Sequence, residues 1–136
     1  MRQLVTPSTL RTAASPAVAG DFLGIRIAGA AEVPVGAAML VNGVFRLPHD
    51  PARANAAHSH RGIVVTAMQP TGPWWVATPF RELALFDDDE VIDNGTRSGY
   101  FAFDAAAGIE RIVAGHYWVV ASLAEWLSNA VRITVL

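Results

Sequence analysis

Cysteine is absent from the 136-residue chain, which excludes disulfide crosslinks, thiol catalysis and thiolate metal sites in one step. Lysine is absent as well: all ten basic residues are arginine, scattered singly. With Ala, Gly and Pro also abundant, this is the mark of a GC-rich coding sequence rather than of selection for bidentate carboxylate or phosphate contacts. Charge is scarce, 16% of residues against a usual ~25%. Twelve acids against ten bases leave a net charge of −2, so no strong pull toward nucleic acid or anionic lipid is expected. No apolar run reaches the ~18 residues of a membrane span. Met1–Pro7 lacks the continuous apolar core of a secretory signal. A cytoplasmic location is therefore the default expectation, with export left open because a cysteine-free chain suits any redox compartment.

What the chain does have is hydrophobicity. Apolar residues make up 52% and mean hydropathy is +0.32, values that exclude a disordered chain. The length fits one domain. Residues 1–20 hold two prolines, two arginines and no acid and read as an extended N-terminal arm, leaving 21–136 as a single domain. Residues 1–61 carry six arginines against three acids, and residues 62–136 carry four against nine. Much of that imbalance comes from one acidic stretch, Asp87–Asp93, read as a solvated loop.

A period of two dominates the sequence. Met39, Val41, Gly43, Phe45 and Leu47 alternate with Asn42 and Arg46, and Val131, Ile133 and Val135 alternate with Arg132 and Thr134. Such alternation marks half-buried strands. Between these two lie segments rich in β-branched and aromatic residues at 22–28, 62–68, 74–78, 82–87, 98–104 and 116–123. Pro70-Thr71-Gly72-Pro73 breaks the chain, and Asn94-Gly95 is its strongest short turn signal. No segment has a convincing helical period; Ala105–Ala107 and Leu123–Leu127 reach a single turn at most. About seven to nine short strands predict an all-β fold, an antiparallel β-sandwich of immunoglobulin-like or jelly-roll-like type.

One segment favours the first type. Ala114-Gly115-His116-Tyr117-Trp118-Val119 opens a strong strand one element before the end. Its Gly-x-Tyr step resembles the tyrosine corner of immunoglobulin-like sandwiches, in which the Tyr hydroxyl bonds a backbone group. The resemblance covers about 25 residues and implies that Val119 stands where antibody domains carry cysteine. It speaks for a superfold, which by itself gives no function.

Three groups of side chains are candidate sites. On an extended backbone His58 and His60 project to one face, so both imidazoles can bind one metal ion, with His116 and His49 as further ligands and Asp50 as an oxygen donor. Jelly-roll oxygenases of the cupin type use a similar His-x-His, but here their following Glu is missing, His116 lacks the preceding Pro-x-Gly, and Arg61 adjoins the pair. The acidic stretch offers Asp87, Asp89 and Asp93 as hard oxygen donors for calcium, without EF-hand spacing. Trp74, Trp75 and Trp118 form the third group. Adjacent strand residues face opposite sides, so one of Trp74 and Trp75 is expected in the core and the other outside. If Tyr117 and Val119 point inward, then His116, Trp118, Val120 and Ser122 form an outer row too apolar for water alone, and Val64, Thr66 and Met68 add a second. Large exposed apolar patches mark interfaces.

Catalysis finds little support: there is no Gly-x-Ser-x-Gly elbow, phosphate loop or dinucleotide fingerprint. The leading expectation is a non-enzymatic module that binds a protein partner or assembles with itself through apolar sheet faces, with no cofactor. The alternatives are a metal-dependent protein using the histidines, and a carbohydrate-binding module using the tryptophans with calcium at the acidic stretch.

Overall fold

In a computed structural model of the chain, the described residues are 16, 18, 20–49, 59–82, 85, 90–93, 95–107, 109 and 112–136. The arm read over 1–20 falls almost wholly outside them, as do His58, Asp50, Asp87 and Asp89. Ten strands follow in chain order: β1 (Gly24–Gly29), β2 (Glu32–Val33), β3 (Leu40–Pro48), β4 (Ile63–Met68), β5 (Trp74–Ala77), β6 (Glu90–Asp93), β7 (Thr96–Asp104), β8 (Gly115–Leu123), β9 (Trp126–Leu127) and β10 (Val131–Val135). The helical element among the described residues is one 3-10 turn, Ser59–Gly62. None of their helices is long and apolar enough to cross a membrane.

The strands form two sheets packed face to face, the all-β sandwich expected from the alternation. One sheet has the order β1-β3-β7-β6 and the other β2-β10-β8-β4-β5, with β9 added to β8. Neighbours are antiparallel except β2, which runs parallel to β10. The chain changes sheets between β1 and β2, and backbone bonds from Thr134 to the Ala31 carbonyl (2.8 Å) and from Leu136 to the Val33 carbonyl (2.9 Å) fix the crossing.

The inward set follows the alternation. Ile25, Ile27, Val41, Phe45, Phe101 and Phe103 from the first sheet meet Ile63, Val65, Ala67, Tyr117, Val119, Ala121, Ile133 and Val135 from the second, each exposed by no more than 2%. Register decides how the rings fit. Gly43 pairs with Phe101, and a β-carbon on Gly43 would lie 2.0 Å from that ring. The missing side chain is the space in which Phe101 sits.

Two polar side chains close the backbone where strands stop. The Asp104 carboxylate accepts from the Met39 and Ala106 amides, both at 2.9 Å. The Asn129 amide accepts from the Ile27 N–H and donates to the Ile27 carbonyl, again at 2.9 Å each. It stands in for a neighbouring strand at the outer edge of β1.

Three local expectations need correction. The stretch Asp87–Asp93 is not all loop: its last four residues form β6, paired with β7 across a turn in which Gly95 takes a φ of +77°. Leu123–Leu127 is a tight hairpin, Ala124 and Glu125 joining β8 to β9, with Ala124 at a φ of +53°. The strand read over 82–87 does not form at Glu82 or Leu85, and its remaining residues lie outside the described ones.

Candidate functional site

The second sheet places its outward side chains in register. Met68 of β4 pairs with Trp118 of β8 on one side and Trp74 of β5 on the other, and Trp118 pairs with Arg132 of β10. One residue pair further along, Thr66 lies between Val120 and Val76. The period of two puts these residues on a common face, opposite the buried Val65, Ala67, Tyr117, Val119 and Ala121. Trp74 is 68% exposed, Val76 53%, Trp118 38% and Met68 37%. The result is a continuous apolar band across β8, β4 and β5, bordered by the cation Arg132. No charged residue occurs between Arg61 and Arg81, so the hairpin bearing half of this band is neutral throughout.

Trp75 takes the opposite role to Trp74. Its ring packs against the core beside Tyr117, with centroids 5.9 Å apart, and its indole N–H donates to the Ala105 carbonyl at 2.8 Å. That bond ties β5 to the turn after β7, in the other sheet. The Tyr117 hydroxyl donates to the Val113 carbonyl, four residues upstream, at 2.7 Å. Burial raises the pKa of that phenol above its ordinary value, which keeps it a donor.

The described histidines, His49, His60 and His116, form no metal-binding group with other described ligands. Ser59 begins a 3-10 turn rather than an extended strand, so the backbone geometry that would align His60 with His58 is absent on that side. The His60 ring is fully buried, edge-on to Phe45 at 4.9 Å and Phe80 at 6.0 Å. Its Nε2 lies 2.9 Å from the Tyr100 carbonyl, so Nε2–H is the donor. His116 is exposed on the outer face of β8, with Nδ1 2.9 Å from the Thr134 hydroxyl. His49 lies at the end of β3, its backbone N–H donating to the Gly95 carbonyl at 2.7 Å. Among the described residues no three His, Asp or Glu side chains converge to hold a metal ion. Asp93, the described member of the calcium set, is exposed at the end of β6.

One ionic pair was not visible in the sequence. Glu90 opens β6 with its carboxylate buried, and Arg97 of β7 grips it through Nη2 at 2.6 Å and Nε at 3.2 Å. The Ser59 amide adds a third donor at 3.4 Å. Burial alone would raise the Glu90 pKa, but the donors from Arg97 and Ser59 outweigh it and hold the carboxyl below its ordinary value. The pair ties β6 to β7, and through Ser59 to the turn that carries His60. Val76 was also missed as part of the face. Its place two residues after Trp74 is the signal that would have found it.

No protein-family model matches this chain, and no curated protein matches it.

Proposed function

We propose that the protein works by contact rather than catalysis: a self-associating sandwich module that buries the outer face of its β2-β10-β8-β4-β5 sheet against another copy. The observation that carries this reading is the exposed row Trp74, Met68 and Trp118, held side by side by strand register. A second copy suits this face because it is apolar and nearly neutral, so two copies meet without like-charge repulsion across the β4–β5 hairpin. Burial of apolar area contributes about 25 cal/mol per Å² before the entropic cost of association is subtracted.

The sandwich itself we read as immunoglobulin-like. Support comes from the strand order, in which β1-β3-β7-β6 matches the four-stranded sheet of such domains and β10-β8-β4-β5 the opposite one. The Tyr117–Val113 bond supports it as well. This chain departs from the antibody pattern in having Val119 in place of cysteine and in drawing its core tryptophan, Trp75, from β5.

Sedimentation equilibrium over a concentration series tests the function. The wild type is expected to exceed the 14.5 kDa of one chain, and Trp118→Arg to lower the mass without lowering the melting temperature. A wild type that stays a single chain at every concentration contradicts the proposal.

A further inference from the structure

An open sheet ends in strands with unpaired N–H and C=O groups, which template pairing with another chain unless they are blocked. Two of the four sheet ends here are blocked, and a third carries an exposed charge. At β1, the Asn129 side chain takes both backbone groups of Ile27, and Ile25, two residues earlier on the same edge, is 2% exposed. At β2, the strand is two residues long and carries the exposed Glu32. At β6, Val91 and Ile92 are exposed, but the strand opens on Glu90, ion-paired to Arg97, and closes on the exposed Asp93. The fourth end, β5, has none of these devices. It is uncharged, and among the described residues its hydrogen-bonded neighbour is β4 alone.

The ladder fixes which groups are open. Gln69 donates to the Pro73 carbonyl at 3.2 Å, so Pro73, Trp75 and Ala77 direct their backbone groups to β4. Trp74 and Val76 alternate with them and direct theirs outward. Their side chains are the two most exposed of the strand, while Trp75 is anchored in the core. The edge is therefore held rigid from behind and bare in front.

We infer that β5 pairs edge to edge with β5 of a second copy, antiparallel about a two-fold axis through Trp75, joining two sheets into one. This register sets Trp74 of each copy opposite Val76 of the other, so that both residues exchange their outward backbone hydrogen bonds. A two-fold contact is self-complementary by construction, and the neutral hairpin adds no repulsion to it. The paired edges also bring the two apolar bands side by side, enlarging the face described above. The inference rests on the proposal that copies of this chain associate, and it specifies a contact that proposal does not require.

The absence of cysteine makes the register directly testable. Directly opposed residues of an antiparallel ladder are within disulfide reach. Trp74→Cys and Val76→Cys chains are mixed under mild oxidation, with Leu127→Cys, a residue 71% exposed on β9, as the control. The expected result is a crosslinked species at twice the chain mass in the mixture, well above the control. Val76→Pro, which removes an outward N–H and leaves the β4 ladder intact, should abolish protection of the Trp74 amide from hydrogen exchange while the Trp75 and Ala77 amides stay protected. Crosslinking no greater than the control overturns the edge pairing. If Trp118→Arg still lowers the mass in that case, the face proposal stands without it. A wild type that is a single chain at every concentration overturns both.

Discussion

The two sheets of this sandwich solve burial in different ways. The β1-β3-β7-β6 sheet fills its side of the interior with large rings, Phe45, Phe101 and Phe103, and makes room for one of them by a glycine at position 43. Phe101 and Phe103 lie nearly parallel, 12° apart, and Phe80 and His60 meet the cluster edge-on. The facing sheet fills its side with short aliphatic groups, among them Val65, Ala67, Val119, Ala121 and Ile133, around the rings of Tyr117 and Trp75, and carries Trp74, Met68 and Trp118 on the outside. Outward residues of the first sheet mix the polar Arg26, Arg46 and Ser98 with the exposed Tyr100 and Val91, and no tryptophan lies among them. The first sheet thus buries its phenylalanines, whereas the second divides its rings between the core, with Tyr117 and Trp75, and an exposed outer face, with Trp74 and Trp118. If the outer face is the proposed contact, substitutions inside the sandwich should change stability and those outside should change mass.

The largest effect on stability is expected inside the first sheet. Phe101→Ala empties the space over Gly43 and should cost about 3–5 kcal/mol in chemical denaturation. Gly43→Ala attacks the same contact from the other side; by forcing the ring away it should cost about 1–3 kcal/mol. If Phe101→Ala were no more costly than Val119→Ala in the facing sheet, the contrast between the two interiors would be lost.

Glu90 sharpens the comparison through pH. Its carboxyl titrates below the ordinary value in the folded chain because Arg97 and Ser59 donate to it. The stability it contributes is thus fully present above the unfolded pKa and declines as pH falls from there through the folded pKa. Glu90→Gln should cost about 1–3 kcal/mol at neutral pH and flatten that acid limb. A variant whose acid limb matches the wild type would contradict the role given to the pair.

In the facing sheet, Trp75→Phe keeps the ring in the core but removes the donor to Ala105. A loss of about 1 kcal/mol is expected, with β5 loosened in hydrogen exchange. The smallest effect runs the other way. Ala124 sits at a φ of +53° in the β8–β9 turn, a conformation costly for a residue with a β-carbon. Ala124→Gly should therefore raise stability by about 0.5–1 kcal/mol, read as a higher melting temperature with unchanged mass.

The interior of the fold was largely legible in the sequence, because alternation alone sorts side chains between faces. It placed β3, β4, β5, β7, β8 and β10 within two residues of their ends, and Asn94-Gly95 marked the turn before β7. Two-residue strands such as β2 and β9 have no period to detect. The strand β6 was hidden because its charges imitate a loop, and it is held by pairing with β7 rather than by its own pattern. The outer face was legible for Trp118 and Met68, whose outward rows alternation defines. The same reasoning failed for His60. A histidine beside Ser59 and Arg61 looks polar and exposed, whereas a 3-10 turn swings it between Phe45 and Phe80. Asn129 and Glu90 were invisible for a related reason: their roles depend on partners that only the folded register supplies, 102 residues away at Ile27 and diagonally across the β6–β7 ladder at Arg97.

Self-association as proposed covers the outer band of the β2-β10-β8-β4-β5 sheet when copies meet. Oxidative labelling of the wild type across a dilution series, read residue by residue, measures this directly. Met68, Trp74 and Trp118 are expected to be protected at high concentration and to become reactive on dilution, while exposed Leu127 is labelled equally throughout. Labelling of those three residues that does not change with concentration would contradict it.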